Sequence, residues 1–285
     1  MSLRMRPAPR WFLLTACAMT AFAANSILCR LALRGGHIDP ASFTSLRLVS
    51  GAAVLWLLVR SRGAGGQRGG DGFSASALFV YAAAFSFAYV SLPVGVGALL
   101  LFGAVQACML TAGLWRGERP GPVQALGILL SLGGLVFLVW PGLTAPAPLG
   151  AALMLTAGVA WGLYSLRGRG AGDPARATAG NFLLAAPLAL LLNLPLFPQF
   201  HLEMLGVLYA VASGALASGL GYVVWYAALK GLSATRAAVV QLSVPVIAAF
   251  GGLLFLGEVF TPRLVVASIA ILGGIALAVT ARQRI

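Results

Sequence analysis

Residues 113–122 read GLWRGERPGP, and residues 253–262 read LLFLGEVFTP. In each, an apolar run leads to a Gly-Glu pair, and a proline follows the glutamate by four residues. Glu118 and Glu258 are two of only six acidic residues in 285, and they stand 140 apart. At that fixed offset, without gaps, Leu92 pairs with Leu232, Ala98 with Ala238 and Pro122 with Pro262. Leu132-Gly133-Gly134 pairs with Leu272-Gly273-Gly274, and Val139 with Val279. The spacing predicts two copies of one unit, residues 1–142 and 146–285.

Composition says where such a unit lives. Apolar residues make up 60% of the chain and charged residues 9%, against about a quarter charged in a soluble domain. The charges are clustered, with long uncharged segments between them. Each such segment must satisfy its own backbone in lipid, so it reads as a helix. Ten spans are expected, at roughly 11–33, 41–59, 74–92, 94–115, 122–140, 148–167, 176–196, 204–229, 234–256 and 262–281. Leu92-Pro93-Val94-Gly95 separates the third from the fourth, because proline lacks a donor and restricts its predecessor. Five spans per copy is odd, so the second copy enters from the opposite side. The predicted fold class is an all-α membrane protein built as two inverted five-helix repeats, an architecture that recurs in secondary transporters.

The net charge of +13 would suggest nucleic acid in a soluble protein. Here the basic residues occupy short loops and form no face, so no nucleic-acid partner is expected. With the N-terminus in the cytoplasm, inside segments hold fifteen Lys and Arg and outside segments three. That bias puts both termini in the cytoplasm and the chain in a bacterial inner membrane. The start of the chain resembles a signal peptide, and Leu14-Thr15-Ala16-Cys17 a lipoprotein box. Against both, the apolar run continues past Ala23 to Leu33, and a retained first span is expected.

Several chemistries find no support. Cys17, Cys29 and Cys108 form no C-x-x-C pair. His37 and His201 fall in separate loops with no ligand partner nearby, and zinc needs three or four convergent ligands. No metal or other cofactor is expected. The glycine-rich stretch 61–72 follows no strand and precedes no Lys-Ser/Thr pair, so it is a linker rather than a phosphate cradle. There is no G-x-S-x-G or H-E-x-x-H and no nucleotide motif, so an enzyme or an ATP-driven pump is not expected.

Three segments carry a family resemblance: Phe43-Thr44-Ser45-Leu46-Arg47, Trp161-Gly162-Leu163-Tyr164-Ser165, and Tyr222-Val223-Val224-Trp225-Tyr226-Ala227-Ala228-Leu229-Lys230. Leu232-Ser233-Ala234-Thr235 and the second Gly-Glu pair extend it. With them the chain resembles the drug/metabolite transporter superfamily, specifically its EamA-type ten-helix transporters. Within these it is most similar to the YddG-type exporters of aromatic amino acids. The first copy departs from the pattern, with Ala104-Val105 where the second has Val244-Pro245, and Ala23-Ala24 where Trp-Gly is often found. The resemblance implies export of a small solute, an amino acid or similar amphiphile, by alternating access at a central cavity. Multidrug or nucleotide-sugar transport is the alternative. The bilayer is the other partner, and a monomer is compatible with all of this.

Polar groups in spans are costly and usually face the bundle interior. Arg47, about six residues into the second span, lies roughly 9 Å deep at 1.5 Å per residue. It reads either as a clamp on a substrate carboxylate or as a structural arginine that snorkels outward or binds helix-end carbonyls. Trp161 and Tyr164, three apart, share a face. Tyr81, Phe85 and Tyr89 form a stripe, as do Tyr222, Trp225 and Tyr226. Gln106 and Gln241 are substrate contacts or interhelical hydrogen-bonders, and Asn181 is a pocket candidate. Glu118, Glu258 and Pro245 are corner-fixing or gating residues. Each glutamate is expected to serve the N-terminus of the proline-marked span that follows it. Gly133-Gly134 and Gly273-Gly274 read as close-packing surfaces.

Overall fold

A computed structural model describes residues 9–61, 69–115, 117, 120–142, 145–168, 173–232 and 234–281. Glu118 and part of the glycine-rich linker lie outside the described residues. Ten described helices are long and apolar enough to cross a membrane. They are α1 (Arg10–Arg34), α2 (Pro40–Ser61), α3 (Gly72–Tyr89), α4 (Val94–Trp115) and α5 (Pro122–Val139). Then come α6 (Pro148–Gly168), α7 (Pro174–Gln199), α8 (Met204–Leu229), α9 (Val239–Leu256) and α10 (Pro262–Ala281). The chain is a multi-pass helical membrane protein. Because the spans alternate, α1 begins and α10 ends on one face, the terminal face; α1 ends and α10 begins on the other, the far face.

Local sequence sets the helix starts. Pro40, Pro122, Pro148, Pro174 and Pro262 each open a span, where a missing N–H costs nothing. The scarce acids also go to helix N-termini, which favour an anion. Asp39 accepts from the backbone N–H of Ala41 and Ser42 at 3.0 and 2.9 Å. Asp71 accepts from Ser74 N–H at 3.0 Å and Asp173 from Ala175 N–H at 3.1 Å.

Glu203 sits at the N-cap of α8 but caps nothing with its side chain. Its carboxylate instead bridges the two histidines that were expected to lack a partner. His37 Nδ1 lies 2.6 Å from Oε2 and His201 Nε2 3.3 Å from Oε1. The loops before α2 and α8 meet through a short antiparallel bridge, Ile38 with Leu202, and sequence distance hid that meeting. The His37 hydrogen bond first, then that of His201, holds the Glu203 carboxyl below its ordinary 4.5. The two bonds from Ser74 hold Asp71 below 3.8. A carboxyl depressed in the folded state stabilises the fold above its unfolded pKa, and that contribution is lost as pH falls through the folded value. Thermal stability in detergent is therefore expected to be flat near neutrality and to decline below about pH 4.5. Glu203→Gln and Asp71→Asn should each flatten the acid limb.

Packing is reciprocal. α5 lies along α10, and α2 along α7. α3 and α4 both pack on α6, while α8 and α9 both pack on α1. In the α5–α10 contact one glycine of each pair is used. A Cβ at Gly134 would meet Ile271 at 2.8 Å and one at Gly274 would meet Ser131 Oγ at 2.5 Å, whereas Gly133 and Gly273 face open space.

α8 and α9 depart from regular α-helical geometry within their spans. α9 is interrupted at Leu242: its start belongs to a helix that begins before the span, Ala234–Gln241, and the rest is Ser243–Leu256. Pro245 has no N–H to give the Gln241 carbonyl and its ring crowds that carbonyl, so the second piece restarts with Pro245 in its first turn. α4 has Val105 in the corresponding position and runs unbroken. α8 winds as a π-helix over Ala212–Leu220, a form often found at functional sites. Within it Gly214 lies against α2, where a Cβ would fall on the Arg47 carbonyl and the Ser50 hydroxyl. Gly214→Val should cost about 1–3 kcal/mol through overpacking, seen as a lower melting temperature in detergent. Gly133→Ala, in open space, should cost nothing.

Candidate functional site

Arg47 is the pivot. It is 1% exposed, so it does not snorkel, and it reaches no helix-end carbonyl. Its Nε donates to Ser218 Oγ at 3.2 Å and an Nη donates to the Tyr81 hydroxyl at 3.0 Å. The other, Nη1, is buried and donates to nothing. The guanidinium lies over two rings of α3, 5.0 Å from the Tyr81 centroid and 4.9 Å from that of Phe85. Cation–π contact partly offsets the cost of burying the charge, but no carboxylate among the described residues faces it. Each of the six acidic residues in the sequence lies outside the ten spans.

Four more helices complete the surroundings. α6 brings Trp161, whose ring lies 4.9 Å from Tyr81, 4.9 Å from Tyr222 and 5.3 Å from Tyr164, stacked on the last. α8 brings Tyr222, and α7 brings Phe182 to its edge at 5.9 Å. α1 brings Phe22, also 5.9 Å from Tyr222. α1 further supplies Asn25, which donates to the Tyr81 hydroxyl at 3.4 Å and accepts from Ser213 Oγ at 2.6 Å. The π-helical stretch makes this possible. It turns Ser213 toward Asn25 and Ser218 toward Arg47 from consecutive turns, where α-helical spacing would rotate one of them away. Phe22, Asn25, Tyr81, Phe85, Trp161 and Tyr222 line a cavity of about 20 Å³, room for about one water. In this conformation the centre has no room for a solute.

The predicted residues fall into two groups. Arg47, Tyr81, Phe85, Trp161, Tyr164 and Tyr222 form one cluster at mid-span. Tyr222 is buried, its hydroxyl beside that of Tyr81 without forming a well-aligned hydrogen bond. Gln106 is buried one turn beyond the cavity-lining Phe102, on the same face of α4, with Nε2 unpaired. Asn181 sits at the edge of the cluster beside the Tyr164 hydroxyl, and Gln241 lies apart. Asn181 Oδ1 accepts from the backbone N–H of Asp71 at 3.0 Å, tying α7 to the start of α3 near the terminal face. Gln241 is half-buried at the α9 interruption.

Glu258 does serve a helix N-terminus, but that of α4 rather than of α10. Its Oε2 accepts from Val94 N–H at 2.7 Å. Gly257 takes φ +62°, which turns the chain back into the bundle, and Thr261 caps α10 instead, its hydroxyl accepting from Leu264 N–H at 3.1 Å. Gly252 leaves room for the carboxylate, since a Cβ there would meet Oε2 at 2.5 Å. Arg30 completes a latch. Its Nε lies 3.5 Å from Glu258 Oε1, and its Nη1 donates to the carbonyls of Tyr89 and Val90 at 2.8 Å each. One ion pair thus holds α1, the end of α3, the start of α4 and the α9–α10 turn together at the far face. Beside it lies a pocket of about 270 Å³ lined by Pro93, Ala147, Ala249, Glu258 and Phe260 among others.

Sequence reasoning missed Ser213, Ser218, Phe182 and the part played by Arg30. The SGALAS run held a signal: two serines five apart share a face only on a π-helix.

Apolar helices packed around the buried Arg47 and an aromatic cage fit a membrane carrier. Residues 148–280 match the model of the EamA-like transporter family. An uncharacterised protein of Pseudomonas aeruginosa, PA1977, is 59% identical over 97% of this chain and 96% of its own length. An uncharacterised transporter of Archaeoglobus fulgidus is 26% identical over 86% of this chain and 89% of its own. A solved crystal structure with a TM-score of 0.67 and 23% identity covers 95% of this chain and 98% of that one. It shares the fold.

Proposed function

We propose that this transporter exports small organic solutes that pair a carboxylate with an aromatic or neutral body, amino acids among them, from a bacterial cell across its inner membrane. Both termini would face the cytoplasm. Transport would proceed by alternating access, as two inverted repeats, residues 1–142 and 146–285, rock about the Arg47 centre. The reciprocal packing supports the repeat reading. Span five meets span ten, span two meets span seven, and each repeat's first span is clasped by the same two spans of the other. The left-handed φ of Gly117, +85°, beside that of Gly257, +62°, supports it too.

The observation that carries the substrate reading is the unpaired Nη1 of Arg47, buried at mid-span inside the aromatic cluster. A carboxylate there would accept charge-assisted hydrogen bonds, and the rings would take the side chain. Trp161 with its three tyrosine neighbours is what favours an aromatic exporter over a multidrug-cation or nucleotide-sugar carrier. Glu258, with Arg30, would gate the far face.

The test is counterflow in proteoliposomes. Vesicles preloaded with unlabelled phenylalanine, threonine or phenylpyruvate should take up the labelled solute transiently and saturably. No counterflow of any of the three would overturn the substrate reading, and unsaturable flux would make the chain a channel.

A further inference from the structure

We infer that the central site is selective for a net-anionic solute, an aromatic or apolar monocarboxylate without a free ammonium group, over the zwitterionic amino acid of the same shape. This rests on the proposed Arg47 clamp and narrows it.

Donor capacity is left open around the centre. Arg47 Nη1, the Tyr222 hydroxyl and Gln106 Nε2 are all buried and all unpaired. Each offers a hydrogen to an acceptor, as a carboxylate or carbonyl oxygen would require. The acceptors next to the guanidinium, by contrast, each already hold at least one donor. Asn25 Oδ1 accepts from Ser213, Ser218 Oγ from Arg47, and the Tyr81 hydroxyl from both Arg47 and Asn25. An incoming ammonium would share these oxygens with donors already bound to them.

Charge points the same way. A buried guanidinium without a counter-ion is incompletely compensated, and a monoanion completes the pair. A zwitterion brings a second cation within a few ångströms of the first, and the sequence places no carboxylate in any span to receive it. The rings do not supply a substitute. The Tyr81 and Phe85 rings already carry the Arg47 guanidinium, and Trp161 is flanked by Tyr81, Tyr164 and Tyr222.

Three probes of one skeleton test this by calorimetric titration of the purified full-length protein near neutral pH: 3-phenylpropionate, phenylalanine and phenethylamine. Phenylpropionate should bind about tenfold or more tightly than phenylalanine, and phenethylamine should not bind. Tyr222→Phe, which keeps the ring and removes one unpaired donor, should weaken phenylpropionate about tenfold and leave the order of the other two unchanged. Phenylalanine binding as tightly as phenylpropionate would overturn the charge selectivity while leaving the carboxylate clamp in place. Phenethylamine binding best, or no binding by any probe at its solubility limit, would overturn the clamp as well. Unchanged affinity in Tyr222→Phe would remove that hydroxyl from the site.

Discussion

Arg47→Gln is expected to lose flux by about a hundredfold while the protein remains as stable as the parent. The two halves of that expectation come from the same geometry. A bound carboxylate would take charge-assisted hydrogen bonds from Arg47, and losing them costs about 3 kcal/mol, or roughly a hundredfold. Stability behaves differently because Arg47 is buried without an anionic partner. Replacing an uncompensated buried cation by a neutral side chain removes a desolvation penalty as well as two hydrogen bonds, so the terms oppose. A purely structural arginine predicts the reverse: a lower melting temperature, with normal flux in whatever folds. Arg47→Lys should fall between, since it keeps the charge but loses the planar fork. Flux in proteoliposomes and melting in detergent, measured on the same preparations, separate the readings.

Glu258→Ala should unlatch the far face. The side chains of Arg30 and Glu258 are 11% and 12% exposed, so removing the carboxylate leaves a largely desolvated guanidinium without its anion. It also leaves Val94 N–H uncapped. Breaking a buried pair from one side costs about 3–5 kcal/mol. The remaining exposure and the two carbonyls still held by Arg30 reduce this to about 2 kcal/mol, roughly thirtyfold in the population of the opened state. Ser26 lies between the latch and the centre, at 2% exposure. A Ser26→Cys reporter, with Cys17, Cys29 and Cys108 replaced by serine, should react with a membrane-impermeant maleimide about thirtyfold faster in the Glu258→Ala background. Glu258→Gln, which can still accept from Val94, should give a smaller rise. An unchanged labelling rate would mean that Glu258 fixes a corner and gates nothing.

How much of this was legible beforehand differs from element to element. All ten spans could be placed, because in lipid a backbone must close its hydrogen bonds within its own segment; apolar length and proline punctuation then suffice. Arg47, Tyr81, Phe85, Trp161 and Tyr222 could be nominated because polar and aromatic side chains at mid-span have few other reasons to be there. Asn181 met the same criterion and also ties α7 to the start of α3 through Asp71 N–H, a contact that residue type and depth do not reveal. The π-helical stretch of α8 was not foreseen. Its hydrogen-bond pattern is a compromise with α1 and α2, and the small-residue sequence only permits it.

The repeated Gly-Glu pair marks the same division. The sequence by itself determined the number of spans, the alternation of faces and the internal correspondence at 140 residues, all of which follow from local apolar length and composition. Tertiary structure alone decided that Glu258 reaches past its own turn to Val94, that Arg30 meets it, and that two distant histidines share Glu203. It also left Arg47 buried without an anion. These are contacts between segments far apart in the chain, fixed by how helices pack and where glycine lets them approach, and no local pattern encodes them.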